Sequence, residues 1–369
     1  MKVKITVVTL ILFFAVGFPL LAQDEDEEDW DAYGDLALVD DALVKRFAKP
    51  TIVGMSPTRF FNLSYDRQLP YAMKLSEVRY PASGNSGWGV DEEASVNTSG
   101  EVTYTGGMRF ISNIPIISKA SLVWQTGLNY VRTGYSISAP AGQTKLSVLE
   151  SSLNEQGLNN LSWANTVFVP VSEQNFLIFQ GSLDLSGNYN WNLQPLGTVR
   201  WSLAAIYGKR VSETKRWGFG LARTYRVGNL NYVPVILYDF TSPNRKWGTE
   251  ILFPARAHGR YNFSKNSLLL FGYELEGQSY RIDALSKGDN SYEIRRGELR
   301  PRLELQKQLS GPFWFNIQAG YRIDYSFDVD ELPDGKDFFR GFFGEQPFAM
   351  RNTLGSALYF NIGISFVTL

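Results

Sequence analysis

Between residues 313 and 327 the chain alternates with a period of two. Phe313, Phe315, Ile317, Ala319, Tyr321, Ile323, Tyr325 and Phe327 hold the odd positions; after Trp314 the even ones read Asn316, Gln318, Gly320, Arg322, Asp324 and Ser326. This is the mark of a β-strand with two unlike faces. Strands of soluble proteins usually run about 5–6 residues, whereas a tilted strand crossing a bilayer needs roughly 9–11. The length predicts that the odd positions meet lipid and the even ones a polar interior.

The pattern recurs. "LVWQTGLNY" places Leu122, Trp124, Leu128 and Tyr130 on one face, and "TVRWSLAAIY" does so with Val199, Trp201, Leu203, Ala205 and Tyr207. "WGFGLARTY" adds Trp217, Phe219, Leu221 and Tyr225, with Arg223 as an exception. Further strand-like stretches lie near 58–66, 100–112, 160–170, 175–188, 229–240, 248–263, 267–282, 292–308 and 355–368, many separated by turn signals such as "GN" at 228–229, "SKNS" at 264–267 and "LSGP" at 309–312. The predicted fold is all-β, a transmembrane antiparallel up-and-down β-barrel.

The census gives thirteen stretches, and single-chain outer-membrane barrels normally have an even number. Twelve strands is the expected count and fourteen the alternative. The doubtful region is 215–263, where Pro234, Pro243 and Pro254 interrupt the alternation. If the last strand enters the periplasm, 283–291 and 329–354 are external and "LSGP" is a periplasmic turn. Trp124, Trp163, Trp191, Trp201, Trp217, Trp247 and Trp314 fall in or near strand ends, where aromatic girdles sit.

Composition removes other classes. The chain has no cysteine, which excludes disulfides, thiolate chemistry and a lipoprotein anchor. A net charge of −1 gives no reason to expect nucleic acid as a partner. The N-terminus, "MKVKITVVTLILFFAVGFPLLAQ", has a short basic start and an apolar stretch from Ile5 to Ala22, with Gly17 and Pro19 before the small Ala22. It is expected to be a cleaved export signal, residues 1–22, with an uncleaved anchor as the alternative. The acidic "DEDEEDWD", 24–31, opens a periplasmic N-terminal segment, 23–57, and the barrel follows over 58–369. No later apolar run is long enough for a spanning helix, so strands must do the crossing.

The last strand, "LYFNIGISF", alternates Leu358, Phe360, Ile362, Ile364 and Phe366 and resembles the C-terminal signal read by the barrel-assembly machinery. It departs from that signal by running on through Val367, Thr368 and Leu369. Together with "FPARAHGRYNFSKNSLLLFGYELEGQSYRI" and "GELRPRLELQKQLSGPFWFNIQAGYRIDYSF", the chain resembles an uncharacterised outer-membrane barrel family of Bacteroidota, a domain of unknown function. The resemblance covers mainly 229–328. It implies a fold and an outer-membrane location, with outer-membrane lipids and the assembly machinery as partners, and it implies no reaction.

The chemistry lies on the inward face. Glu274 and Glu276 stand on a strand beside Arg300, Arg302 and Glu304; Arg256, His258 and Arg260 are inward on the other side, and Arg322 and Asp324 on the strand at 313–327. Charges facing lipid near the midplane cost about 2–4 kcal/mol, so these groups must line or fill the lumen. They form either a salt-bridged interior that fixes register or a charged constriction that selects solutes. His258 is the only histidine, and position 260, where an outer-membrane phospholipase motif would place serine, is arginine. No enzyme activity, cofactor or metal is expected. Phe338, Phe339, Phe342, Phe343 and Phe348 crowd a loop without strand alternation, either packing on the barrel mouth or offering a site to a hydrophobic ligand or partner. Two functions follow: restricted passage of small solutes through a charged lumen, or a non-conducting structural or binding barrel that displays its loops.

Overall fold

The alternation carries the chain around a closed ring of antiparallel strands. The computed structural model describes residues 52–78, 98–138, 148–189, 199–225, 230–282, 291–332 and 349–367. The segment 1–22 expected to be an export signal, the acidic block 24–31, Trp191 and the five loop phenylalanines lie outside the described residues.

In chain order the strands are β1 (Arg59–Gln68), β2 (Tyr71–Val78), β3 (Thr98–Ser112), β4 (Ile114–Lys119) and β5 (Leu122–Ser138). After helix α1 (Val148–Gln156) come β6 (Leu158–Pro170), β7 (Asn175–Gly187), β8 (Arg200–Ser212), β9 (Lys215–Thr224), β10 (Asn231–Thr241) and β11 (Trp247–Phe253). The last are β12 (Arg256–Ser264), β13 (Ser267–Arg281), β14 (Ser291–Ser310), β15 (Phe313–Leu332), β16 (Met350–Leu354) and β17 (Ala357–Val367). Three pairs of segments continue one another along the wall: β1 with β2, β3 with β4, and β16 with β17. The ring therefore has fourteen wall strands, and β1 pairs with β17 from Asn62↔Ser365 to Gln68↔Tyr359 to close it.

Fourteen corrects the expected twelve. The stretch 248–263, read as one element, is the hairpin β11–β12, turned at Pro254 and Ala255. Pro243 sits in the β10–β11 connection. Pro234 stays within β10, beyond the last β10–β11 pair Ile236↔Phe253, where a strand edge tolerates proline.

Outward positions form an apolar belt: Leu63, Met108, Leu128, Leu203, Phe219, Ile236, Leu303, Ile317, Phe360 and Ile362 are all exposed. Trp163, Trp201, Trp217 and Trp247 also face out, whereas Trp314 is buried on the inner face. The opening stretch keeps its odd positions outward only as far as Tyr325. The pairs Glu298↔Asp324 and Gly297↔Ser326 leave Tyr325 as an extra residue on β15, a bulge that reverses the phase. Phe327, expected to meet lipid, is thereby turned into the interior at 1% exposure. Tyr225 is likewise buried rather than outward, beside Arg223, whose guanidinium stacks 3.5 Å from the Trp201 ring centroid.

One end of the barrel carries the tight connections 120–121, 171–174, 213–214, 242–246, 265–266 and 311–312; the other carries the long ones together with the short β11–β12 turn at 254–255. At the long-loop end the wall is pinched. Gly187 on β7 bridges Arg281 on β13, and Asn188 N–H donates to Arg281 C=O at 2.8 Å. The intervening β8–β12 stop short of this level: the β11–β12 turn lies opposite Glu274, so β13 beyond Leu275 loses its β12 neighbour.

Candidate functional site in the barrel interior

The interior is layered. At the long-loop end α1 plugs the lumen, with Leu149 and Leu153 at 1% and 0% exposure among Tyr135, Ile137, Tyr280, Ile294, Phe327 and Met350. Its sequence, "VLESSLNEQ", sets the two leucines four residues apart on one face. Gly157, at φ +67°, ends the helix as an αL residue, its N–H on Leu153 C=O at 3.0 Å. Asn154 bonds both backbone groups of Ile137.

Beneath this plug lies a charged layer. Glu298 accepts from Arg296 Nε at 2.8 Å and Arg300 Nε at 2.9 Å, with Arg322 Nη1 at 3.5 Å. Arg300 reaches Asp66 at 2.8 Å and Glu276 at 3.4 Å. Arg109 grips Glu276 through both nitrogens, at 2.8 and 2.6 Å, and also Asp66 at 3.1 Å. These pairs span the lumen as chords. Arg109 stands on β3 and Glu276 on β13, with the strands β1, β17, β15 and β14 between them around the ring. Arg296, Glu298, Arg300 and Arg322 are all nearly inaccessible to solvent. Tyr71 and Tyr359 add aromatic faces, 4.0 Å from Arg322 and 4.9 Å from Arg300.

One step toward the turn end, Arg302 holds Glu274 bidentately at 2.6 and 2.8 Å and Glu304 at 3.0 Å. Arg59, on the opposite wall, also donates to Glu304, and His258 Nε2 lies 3.7 Å from Glu274. Arg260 belongs to a separate group: it pairs with Glu250 and donates to Thr241 at 2.8 Å. Glu250 in turn accepts from Ser56 N–H and Oγ–H, both at 2.8 Å, so the segment before β1 is seated inside the wall. Val53 N–H on Glu213 C=O fixes it further.

Of the ten residues singled out in the sequence, His258, Arg260, Arg300, Glu304 and Arg322 are buried, Glu274, Glu276, Arg302 and Asp324 are half-buried, and Arg256 is exposed where it lines a small cavity. The structure joins Glu276, Arg300 and Arg322 in one layer and Glu274, Arg302, Glu304 and His258 in the next. It leaves Arg256 without an ion pair and Asp324 Oδ2 without a hydrogen-bond partner among the described residues. The sequence reading passed over Asp66, Arg109, Arg296 and Glu298. Arg296 and Glu298 merely continue the even-numbered inward set Arg300, Arg302 and Glu304, and the same alternation could have found them.

Between β13 and β14 the directly opposed residues are not the ion pairs. Glu274 sits opposite Arg300 in register yet bonds Arg302, and Arg300 bonds Glu276, because long side chains reach diagonally. A double-mutant cycle on Arg302→Ala and Glu274→Ala is expected to give a coupling of about 1–3 kcal/mol by denaturant unfolding, against a smaller value for Arg300 with Glu274. Equal couplings would mean the diagonal pairing is wrong.

Strands β6–β10 line a smaller compartment with the apolar cluster Phe168, Phe176, Ile206, Ala222, Val233, Val235 and Leu237. Next to it a cavity of about 110 Å³ is lined in part by Met55, Arg216, Asp239, Glu250 and Arg256, with Arg216 on Asp239 at 2.6 Å. No group of three or more metal-ligating side chains exists among the described residues.

Residues 199–367 match the family model of a domain of unknown function, DUF6268. That match spans β8 to β17, less than half of the chain. No curated protein matches it. Among solved structures, similarity is found to an outer membrane channel from Pseudomonas putida F1, at 14% identity over 88% of this chain and 98% of that one, with a TM-score of 0.31. It extends to the Pseudomonas putida toluene transporter TodX, at 9% identity over 86% and 92% with a TM-score of 0.34. A Pseudomonas aeruginosa FadL homologue follows, at 8% over 85% and 91% with a TM-score of 0.31. Likeness at this level carries no solute or activity across, since one barrel form serves many functions.

Proposed function

We propose that this chain is an integral outer-membrane β-barrel, turns in the periplasm and loops outside, whose interior is closed to free diffusion and which acts as a structural or binding barrel. The apolar outward belt and the asymmetry of turns and loops support the location. What carries the closed state is the layer in which Asp66, Arg109, Glu276, Glu298 and Arg300 join opposite walls. A desolvated, mutually paired layer offers no continuous water file, unlike the rings of free side chains that select ions in open pores. The reading includes no catalytic step and no cofactor; outer-membrane lipids are lasting partners and the barrel-assembly machinery a transient one.

A second reading keeps restricted passage, through the smaller compartment. The cavity beside Arg256 supports it, together with the seated segment at Ser56 that would have to withdraw.

The test is electrical. The protein should fractionate with the outer membrane as a heat-modifiable band and, once reconstituted in a planar bilayer, pass no steady current. Stable conductance steps that shift selectivity on Arg256→Glu would establish the second reading instead, and recovery as a soluble periplasmic protein would end both.

A further inference from the structure

The turn end carries an unusual run of positive charge. Going around the wall from β8 to β14, Lys209, Lys215 and Lys307 stand on outward positions, and Arg245, Lys246 and Lys265 are exposed in the turns. Glu213 is the one acidic side chain in the turns of this sector among the described residues; Asp239, Glu250 and Glu304 face inward and are already paired. Lys246, Lys265 and Lys307 are also neighbours. Lys246 C=O accepts from Asn262 N–H at 2.7 Å, and Lys307 lies in register with Ser267, two residues after Lys265.

An aromatic platform sits beside them. Trp247 packs on Tyr261 with ring centroids 4.6 Å apart, Tyr261 on Phe263 at 5.0 Å, and both Trp247 and Phe263 are more than half exposed. Lys215 Nζ lies 5.7 Å from the Tyr238 ring. Amphipathic rings settle at headgroup depth, and cations one step farther out meet the phosphate plane.

We infer that the turn-end sector from β8 to β14 is a binding surface for anionic phospholipid headgroups, centred on Lys246, Lys265 and Lys307 beside Trp247. The inference rests on the membrane-spanning reading above and names the lipid class that this face selects. The occupant follows from charge and depth together: an acidic protein would be attracted by the lysines, but it would leave the ring of exposed aromatics uncovered. Phosphate oxygens take the ammonium groups while the acyl chains cover Trp247 and Phe263.

The experiment reconstitutes the full chain in nanodiscs containing equal amounts of phosphatidylglycerol and phosphatidylcholine, and counts the lipids retained on release by native mass spectrometry. The parent should retain phosphatidylglycerol over phosphatidylcholine by roughly fivefold for each cation engaged, and the preference should fall as salt is raised. Lys246→Gln, Lys265→Gln and Lys307→Gln combined should abolish it. Lys74→Gln with Arg132→Gln, a loss of two exposed cations at the other end, should leave it intact. Equal retention of the two lipids by the parent, or a preference that the triple variant keeps, overturns the inference while the membrane reading stands. Failure to enter these nanodiscs at all strikes the membrane reading itself.

Discussion

Replacing Glu298 by alanine should destabilise the barrel by about 3–5 kcal/mol, the cost of breaking a buried pair and leaving its partners uncompensated. Glu298 is fully buried and serves three guanidiniums, from Arg296, Arg300 and Arg322. Arg300 keeps Asp66 and Glu276 when the carboxylate goes, so the damage concentrates on Arg296, whose remaining partners, Thr133 Oγ1 at 3.2 Å among them, are uncharged hydroxyls. Adding Arg296→Ala to Glu298→Ala should therefore cost less than the sum of the two single changes. Unfolding in denaturant, followed by tryptophan fluorescence on protein refolded into vesicles, measures all three. A loss below about 1 kcal/mol for Glu298→Ala would show that water reaches this layer and screens it.

Ile317→Arg should cost about 2–4 kcal/mol, the penalty for a cation on a lipid-facing position near the midplane. Ile317 is exposed and flanked in register by Leu305 and Ile362, also exposed, with Phe313 and Tyr325 nearer the two ends of the outward face. Gln318→Arg, one residue on, enters the interior, where Gln318 already donates to Glu304 at 3.1 Å. The new cation meets a carboxylate there, and the cost should be about 1 kcal/mol or less. A cysteine placed at 317 in this cysteine-free chain should be shielded from water-soluble reagents and quenched by lipid-borne probes. Reaction with the soluble reagents would mean that this face never meets a bilayer.

The period-two signal shows why much of the fold was legible before any coordinates. Wherever one strand face meets lipid and the other a polar interior, the two environments write themselves into the sequence, as at Leu358, Phe360, Ile362 and Ile364 on β17. The signal fails where both faces are apolar. On β10, Val233, Val235 and Leu237 point inward while Tyr232 and Ile236 point out, so alternation is lost there, next to the β11–β12 hairpin where the strand count went astray. It fails again at Tyr325, because a bulge is one extra residue and carries no composition of its own. The inward charges were readable from phase alone. Their partners were not, since Asp66 and Arg300 are joined by ring closure across an interval of 234 residues.

Ring closure also sets the order of assembly. Asn62 and Ser365 share a hydrogen bond although 303 residues separate them, whereas most wall strands pair with the next strand in sequence. Hairpins such as β12–β13 and β14–β15 close loops of a few residues and can form quickly, but the β1–β17 seam must bear the loop entropy of nearly the whole barrel. Until β17 docks, β1 and β17 are bare edges that invite pairing with other chains. The seam is thus the slow, aggregation-exposed event, and the wall-to-wall arginine pairs from β1 and β3 to β13 and β14 can form only after it, locking a ring that the hairpins alone would leave open.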